Sequence, residues 1–249
     1  MTGSDAPPPF RLGYVPGVTP DKWVRTWRER SPEIPLTLDQ VAAADAAGLV
    51  RDRDTDAVLL RLPVDRSGLH AIPLYTEQTV IVVPKDHLLA AADEVSPTDV
   101  ADEVLLHPGD DVLDWAEPPG RRAVQRPATT EAAVELVAAG AGLLVVPQSL
   151  ARLHHRRDLT YRPFPDAPES CVALAWLEDE TTDAVEQFIG IVRGRTPNST
   201  RGRPSTPPVN TRAEAETRKP AARKPATGSR RRTTAAPRTG GHRKPRRRS

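Results

Sequence analysis

Two patterns predict an α/β fold for the body of this 249-residue chain. From Phe10 to Leu62, short period-two apolar runs alternate with segments of helical spacing. That strand, helix, strand, helix, strand order is the grammar of parallel sheets with right-handed crossovers. Between Ala128 and Arg152, a capped helix passes through a tight glycine turn into a short apolar run and then a further helix.

Taken in order, residues 1–9 form a Pro-rich polar leader with no core-forming residue, a composition that predicts disorder. Phe10, Leu12 and Tyr14 alternate as a first strand, which breaks at Pro16-Gly17. Thr19 or Asp21 is suited to cap a helix with Pro20 in its first turn and Trp23, Val24 and Trp27 on its buried face. Leu36 and Leu38 mark a second strand, residues 43–51 a short helix, and Ala57 to Leu62 a third strand. Leu69 to Pro84 reads as two strands, and Ser96-Pro97-Thr98-Asp99 as a capping box with Pro at the first helical position. Val104 to Leu106, a loop from His107 to Asp111 and a short segment from Val112 to Trp115 follow.

The central unit comes next. Thr129 and Thr130 cap a helix whose Ala133, Val134, Val137 and Ala138 recur at helical spacing, and Glu131 suits its positive first turn. Gly140 and Gly142 stop it, Leu143 to Val146 reads as a buried parallel strand, and Ser149 is placed to cap the next helix. A strand near Thr160 to Phe164, another from Cys171 to Leu177 and a helix from Thr182 to Arg193 complete the body. The last strand and helix have no local partner, so they are expected to return to the first sheet.

Charge divides the chain. Residues 198–249 hold 16 Lys and Arg against 2 Asp and Glu, a net of +14, while residues 1–197 hold the other 19 against 31, a net of −12. The single cysteine, Cys171, has no intrachain disulfide partner and lies in an apolar run, where a buried structural thiol is the default. The first residues carry neither a basic nor an apolar secretory region, and no segment has the roughly 18 continuous apolar residues of a membrane span. These features predict a soluble cytoplasmic protein with no membrane partner.

The segments LVAAGAG and VVPQS of the central unit resemble the effector-binding half of LysR-type transcriptional regulators. The likeness extends in family order through FRLGYVPGVTP, DTDAVLLRLPVDRSGLHAIPLYTEQTVIVVPKDHLLA, VSPTDVADEVLLHPG and CVALAWLEDETTDAVEQFIGIVR, covering residues 10–195. It implies a two-lobed fold of the type 2 periplasmic-binding-protein kind. Lobe I would comprise about residues 10–84 and 163–195, and lobe II about residues 85–162. It further implies a small-molecule effector in the cleft between lobes, no cofactor, and a homodimer. By family position, Thr19, Arg61, Pro63, His107, Thr129 and Thr130 would face that cleft. Each hydroxyl also serves as a plain helix cap without any ligand, and Arg61 equally suits a salt-bridged strand end.

The sequence departs from the family in two places. Asp110, Asp111, Asp114 and Glu117 set four carboxylates beside the expected cleft mouth. Facing inward they would favour a cationic, zwitterionic or neutral effector over an anion; facing outward they form a solvated acidic loop. The family's winged helix-turn-helix also precedes its effector domain, whereas here that domain begins at Phe10, so operator binding by that route is not expected.

The tail, residues 196–249, offers a substitute. Having no Leu, Ile, Met or aromatic residue from 198 onward, it is expected to be disordered. Arg201, Gly202, Arg203 and Pro204 match the core of the AT-hook, in which an extended backbone lies in a narrow A·T minor groove with arginines running along it. Arg230, Arg231 and Arg232 and, further on, Arg246, Arg247 and Arg248 are basic blocks suited to nucleic-acid phosphates, with log K falling by about 0.9 per neutralised phosphate per log unit of salt. Attraction between the tail and the acidic body, or to another polyanion, competes with that reading.

Catalysis finds no motif: there is no G-x-S-x-G, phosphate loop, paired cysteine or H-E-x-x-H, and the adjacent His154 and His155 cannot face one metal from a regular helix. His154 to Arg157 is expected to end a helix with its cations at the negative end, and Asp52, Asp54 and Asp56 to be solvated. The sequence therefore reads as a non-enzymatic, effector-sensing transcriptional regulator with a DNA-contacting tail. Its rivals are an intracellular small-molecule-binding protein with an incidental tail and a truncated regulator.

Overall fold

A computed structural model describes residues 7–195. Residues 1–6 and 196–249, which include every proposed DNA-binding arginine, lie outside the described residues. Strand β1 (Phe10–Tyr14) buries Phe10 and Leu12, and helix α1 (Asp21–Arg30) turns Val24 and Trp27 inward while Trp23 is only half-buried. Strand β2 (Leu36–Gln40), helix α2 (Ala46–Arg51) and strand β3 (Ala57–Leu62) follow, and β1 pairs parallel with both neighbours, as the alternating pattern predicts.

After β4 (Leu69–Glu77) and β5 (Thr79–Pro84) come two 3₁₀ turns, Leu88–Ala91 and Pro97–Val100. Strand β6 (Val104–Leu106), strand β7 (Arg121–Arg122), helix α3 (Thr130–Ala138), strand β8 (Leu143–Pro147), helix α4 (Gln148–Leu153) and strand β9 (Leu159–Pro163) form the middle of the chain. Strand β10 (Ser170–Leu177) and helix α5 (Asp183–Val192) return to the first lobe.

Two five-stranded sheets result, ordered β2-β1-β3-β10-β4 and β7-β6-β8-β5-β9. This corrects the expected lobe boundary: β5 belongs to the second sheet, between β8 and β9, so the first crossing falls at Gln78 and not after Pro84. The second crossing runs from Phe164 to Glu169, and Thr79 Oγ1 donates to Pro168 O at 3.0 Å, tying the crossings together. The run 143–146 is parallel only on its β6 side and antiparallel to β5.

Lobe I packs around three rings. Phe10 stacks on Trp27 with centroids 4.8 Å apart, Phe188 closes the group at 5.4 and 6.0 Å, and the Trp27 indole N–H donates to Ile34 O at 3.0 Å. In lobe II both faces of the sheet are covered at its centre, so the central strands β6, β8 and β5 are apolar without alternation. Val80, Val82 and Leu144 meet α3 and α4, while Ile81, Val83 and Val145 pack with Val95, Val100 and Phe164 on the opposite face.

Several local expectations are corrected. Pro20, not Thr19 or Asp21, is the N-cap of α1, and its backbone carbonyl receives Trp23 N and Val24 N. Ser149 lies inside α4, whose N-cap is Pro147. Asp56 is not merely solvated: its carboxylate takes Arg11 N and Arg11 Nη2, each at 2.7 Å. Strand β7 appears where none was foreseen because parallel pairing with β6 selects it. Cys171 is half-buried rather than buried.

Candidate functional site

The lobes meet at Arg61. This strand-end arginine is 7% exposed as a residue, and three of its guanidinium donors are used: Nε to Glu77 Oε2 at 2.9 Å, Nη1 to Pro16 O at 2.8 Å, and Nη2 to Ser149 Oγ at 3.0 Å. Glu77 ends β4 at the first crossing, and Ser170, which opens β10 at the second, donates its hydroxyl to the same carboxylate oxygen at 3.3 Å. One buried ion pair thus joins β3, both crossings and the first turn of α4. A lone charge here would suffer a large desolvation penalty, so Arg61 and Glu77 each require the other.

Gly17 makes this approach possible. Its φ of +84° favours glycine, and a Cβ would stand 2.7 Å from Ser149 Oγ and 2.9 Å from Arg61 Nη2.

A second group of predicted residues gathers in lobe II. Thr129 caps α3 by accepting Ala132 N at 3.1 Å, and buried Thr130 donates Oγ1 to Asp110 Oδ1 at 2.9 Å. His107 Nδ1 lies 3.8 Å from Asp111 Oδ2, while Asp111 Oδ1 accepts Leu113 N at 3.0 Å. His107 Nε2 is buried without a hydrogen-bond partner among the described residues. The loop is pressed onto the strand-to-helix connection: a Cβ on Gly109 would lie 2.7 Å from Ala128 O, and Arg126 Nη2 donates to Pro108 O at 2.9 Å. Asp114 and Glu117 are exposed, so the acidic loop divides into two carboxylates bound within it and two in solvent.

The six predicted residues therefore do not form one group. His107, Thr129 and Thr130 share the lobe II loop and the α3 N-terminus; Arg61 sits at the lobe boundary with partners of its own. Thr19 and Pro63 are exposed, and the Leu62–Pro63 peptide is cis. Sequence reasoning missed Glu77, Ser149 and Gly17 as participants. Glu77 alone left a signal, as a carboxylate between two apolar strands.

Among the described residues no cluster of three metal-ligating side chains occurs, and no helix is long and apolar enough to cross a membrane. Two α/β lobes joined by two short crossings define a domain of the type 2 periplasmic-binding-protein-like fold. The chain belongs to the LysR substrate-binding domain family, whose model matches residues 8–197.

Its relatives include a probable hydrogen peroxide-inducible genes activator of Mycobacterium avium, 33% identical over 152 residues, 56% of this chain and 49% of that protein. The E. coli Hca operon transcriptional activator HcaR is 25% identical over 199 residues, 74% of this chain and 67% of the relative. The chain thus spans about half the length of the mycobacterial regulators it matches. Among solved structures, the BenM effector binding domain with its effector benzoate superposes with TM-score 0.64 at 20% identity, covering 75% of this chain and 91% of that one. The oxidized form of OxyR gives 0.63 at 23% identity, covering 76% and 96%.

Proposed function

We propose that residues 8–197 are the effector-sensing part of a transcriptional regulator, taking a small molecule between the lobes, and that the basic tail contacts DNA. The observation that carries the first half is the Arg61–Ser149 contact between lobes, placed beside both crossings. A ligand inserted there competes for Ser149 Oγ and changes the angle between the lobes; the differential affinity for the two arrangements is the signal. The family membership supports this reading, as does the collection of His107, Asp110, Asp111 and Thr130 on the lobe II side.

Three of the five Arg61 N–H donors are already used, and Asp110 already accepts from the residue that opens α3. Both features favour a neutral, zwitterionic or cationic effector over a simple anion. A redox readout through an intrachain disulfide is closed to these 249 residues, which hold one cysteine.

A thermal-shift screen of small metabolites tests the proposal. An effector raises the Tm of the wild-type chain, and Thr130→Val or Ser149→Ala abolishes most of the rise. Ligands that stabilise wild type and both variants equally would show that binding lies elsewhere.

The second half rests on charge: residues 198–249 carry a net of +14. Such a segment binds phosphates with little sequence choice, and Arg201 to Pro204 would add a preference for A·T minor grooves.

A further inference from the structure

Lobe II holds a cavity of about 180 Å³ that the effector reading does not use. Its apolar wall is Val82 of β5, Val134 of α3, Ala151 of α4 and Leu159 of β9, each buried in the domain. Its polar wall is Lys85, His154, His155 and Arg156 with Thr160 and Tyr161, whose hydroxyls accept from Arg162 Nη1 and Arg152 Nε, and among the described residues no Asp or Glu lines it. Two cationic side chains, Lys85 and Arg156, beside two imidazoles over an aliphatic floor are the wrong surface for a cation. For a bare inorganic anion the floor supplies no hydrogen bonds.

Not all of that positive charge is available. Arg156 donates to Glu135 Oε1 at 2.6 Å and reaches Asp158 Oδ1 at 3.1 Å, so its guanidinium is compensated and its pKa raised, chiefly by Asp158 and then Glu135. Among the described residues Lys85, His154 and His155 form no salt bridge, although Lys85 stands close enough to Asp158 to add, after Arg156, to what holds that carboxyl below its usual range. Lys85 follows β5, which begins at the crossing at Thr79; at about 3.3 Å per residue the strand carries Lys85 roughly 20 Å along from that crossing. Lys85 therefore stands at the end of β5 away from the Arg61 ion pair. α4, with Ser149 in its first turn and His154 just past its last, is only about 9 Å long, so the imidazole side of the rim lies nearer the ion pair than Lys85 does.

We propose that this cavity is a second small-molecule site, taking a small organic monocarboxylate with a compact apolar body. The carboxylate is held by Lys85 and the His154 and His155 imidazoles, and the hydrocarbon lies on Val82, Val134, Ala151 and Leu159. The size fits one ring: an apolar cavity of about 150 Å³ admits benzene. A charge-assisted hydrogen bond to Lys85 supplies the preference for the acid over its neutral analogue.

The test uses the full chain and 4-fluorobenzoate as probe, followed by fluorine line broadening and by backbone amide shifts. The expected result is binding in about the millimolar range, with shifts centred on Lys85, Val134, His154 and Tyr161. Lys85→Met, at an exposed position that leaves the fold intact, weakens binding about tenfold, and 4-fluorobenzyl alcohol binds about tenfold more weakly than the acid. Ser149→Ala leaves the affinity unchanged, which separates this site from the cleft between lobes. Shifts centred on His107, Thr130 and Ser149 would move the probe to the cleft and overturn the proposal. So would equal binding of acid and alcohol, an unaffected Lys85→Met, or no binding at tens of millimolar probe.

Discussion

Arg61 and Glu77, 3% and 7% exposed at their side chains, make the sharpest single-residue test of how the lobes are held. Glu77→Leu leaves a buried guanidinium without its counter-charge and is expected to cost about 3–5 kcal/mol in urea unfolding, whereas Arg61→Met combined with Glu77→Leu recovers much of that loss. Were the single and double variants equally unstable, the residues would contribute packing and not charge. Gly17→Ala probes the same place from the backbone. Both Gly17 and Gly140 have positive φ, at +84° and +74°, but a Cβ at Gly140 meets nothing within 4 Å while one at Gly17 strikes Ser149 and Arg61. Each substitution incurs the conformational cost of about 1 kcal/mol. Only Gly17→Ala is expected to alter the Ser149 environment, read from amide shifts in α4. Arg61 was legible in the sequence as a residue of interest, and the salt-bridged strand end was one of its open readings. Its partner was not legible, because Glu77 reaches it across two sheet pairings, β3 with β10 and β10 with β4, which no local pattern encodes.

Helix termini separate what spacing reveals from what only the fold decides. Thr129 and Thr182 cap α3 and α5, accepting Ala132 N at 3.1 Å and Val185 N at 3.3 Å, while Thr19 is exposed and Pro20 caps α1. Thr182→Ala is accordingly expected to lower stability by about 1 kcal/mol and Thr19→Ala by less than about 0.5 kcal/mol, in the same unfolding assay. The turn Pro97–Val100 adds a pH dependence. Asp99 accepts the Ser96 hydroxyl at 2.6 Å and the Ser96 N–H at 2.8 Å, and these bonds hold its carboxyl below the usual range. A depressed folded pKa stabilises above the unfolded value of about 4 and loses that stabilisation as pH falls through the folded value. Ser96 amide protection should therefore decline below about pH 4, and Asp99→Asn should remove the dependence. Most elements were readable because their apolar period and caps are local. The two-residue β7 was not, since Arg121 and Arg122 have no strand pattern and pair only because β6 lies beside them. Nor was the lobe of β5, since a wholly apolar run suits the middle of either sheet.

At the scale of the molecule, the resemblance implied two lobes joined by two crossings, and the described residues form two sheets with β10 and α5 returning to the first. The division of charge between residues 1–197 and 198–249 has no counterpart in that architecture, and it yields a prediction independent of the cleft. A segment with 16 basic side chains that neutralises six to ten phosphates should bind duplex DNA with a log–log salt slope of about −5 to −9, losing about three to five orders of magnitude in affinity between 50 and 200 mM salt. A version ending at residue 197 carries a net of −12 and should bind no DNA at any of these salts, because like charges repel the two surfaces. Arg203→Ala removes one arginine of the AT-hook-like core: if that core reads the minor groove, A·T preference disappears while the slope falls by only about one contact. If the substitution lowers affinity equally on A·T-rich and G·C-rich duplexes, the tail acts by charge alone. If the version ending at residue 197 keeps the binding, the DNA surface lies on the folded lobes and the tail has another role.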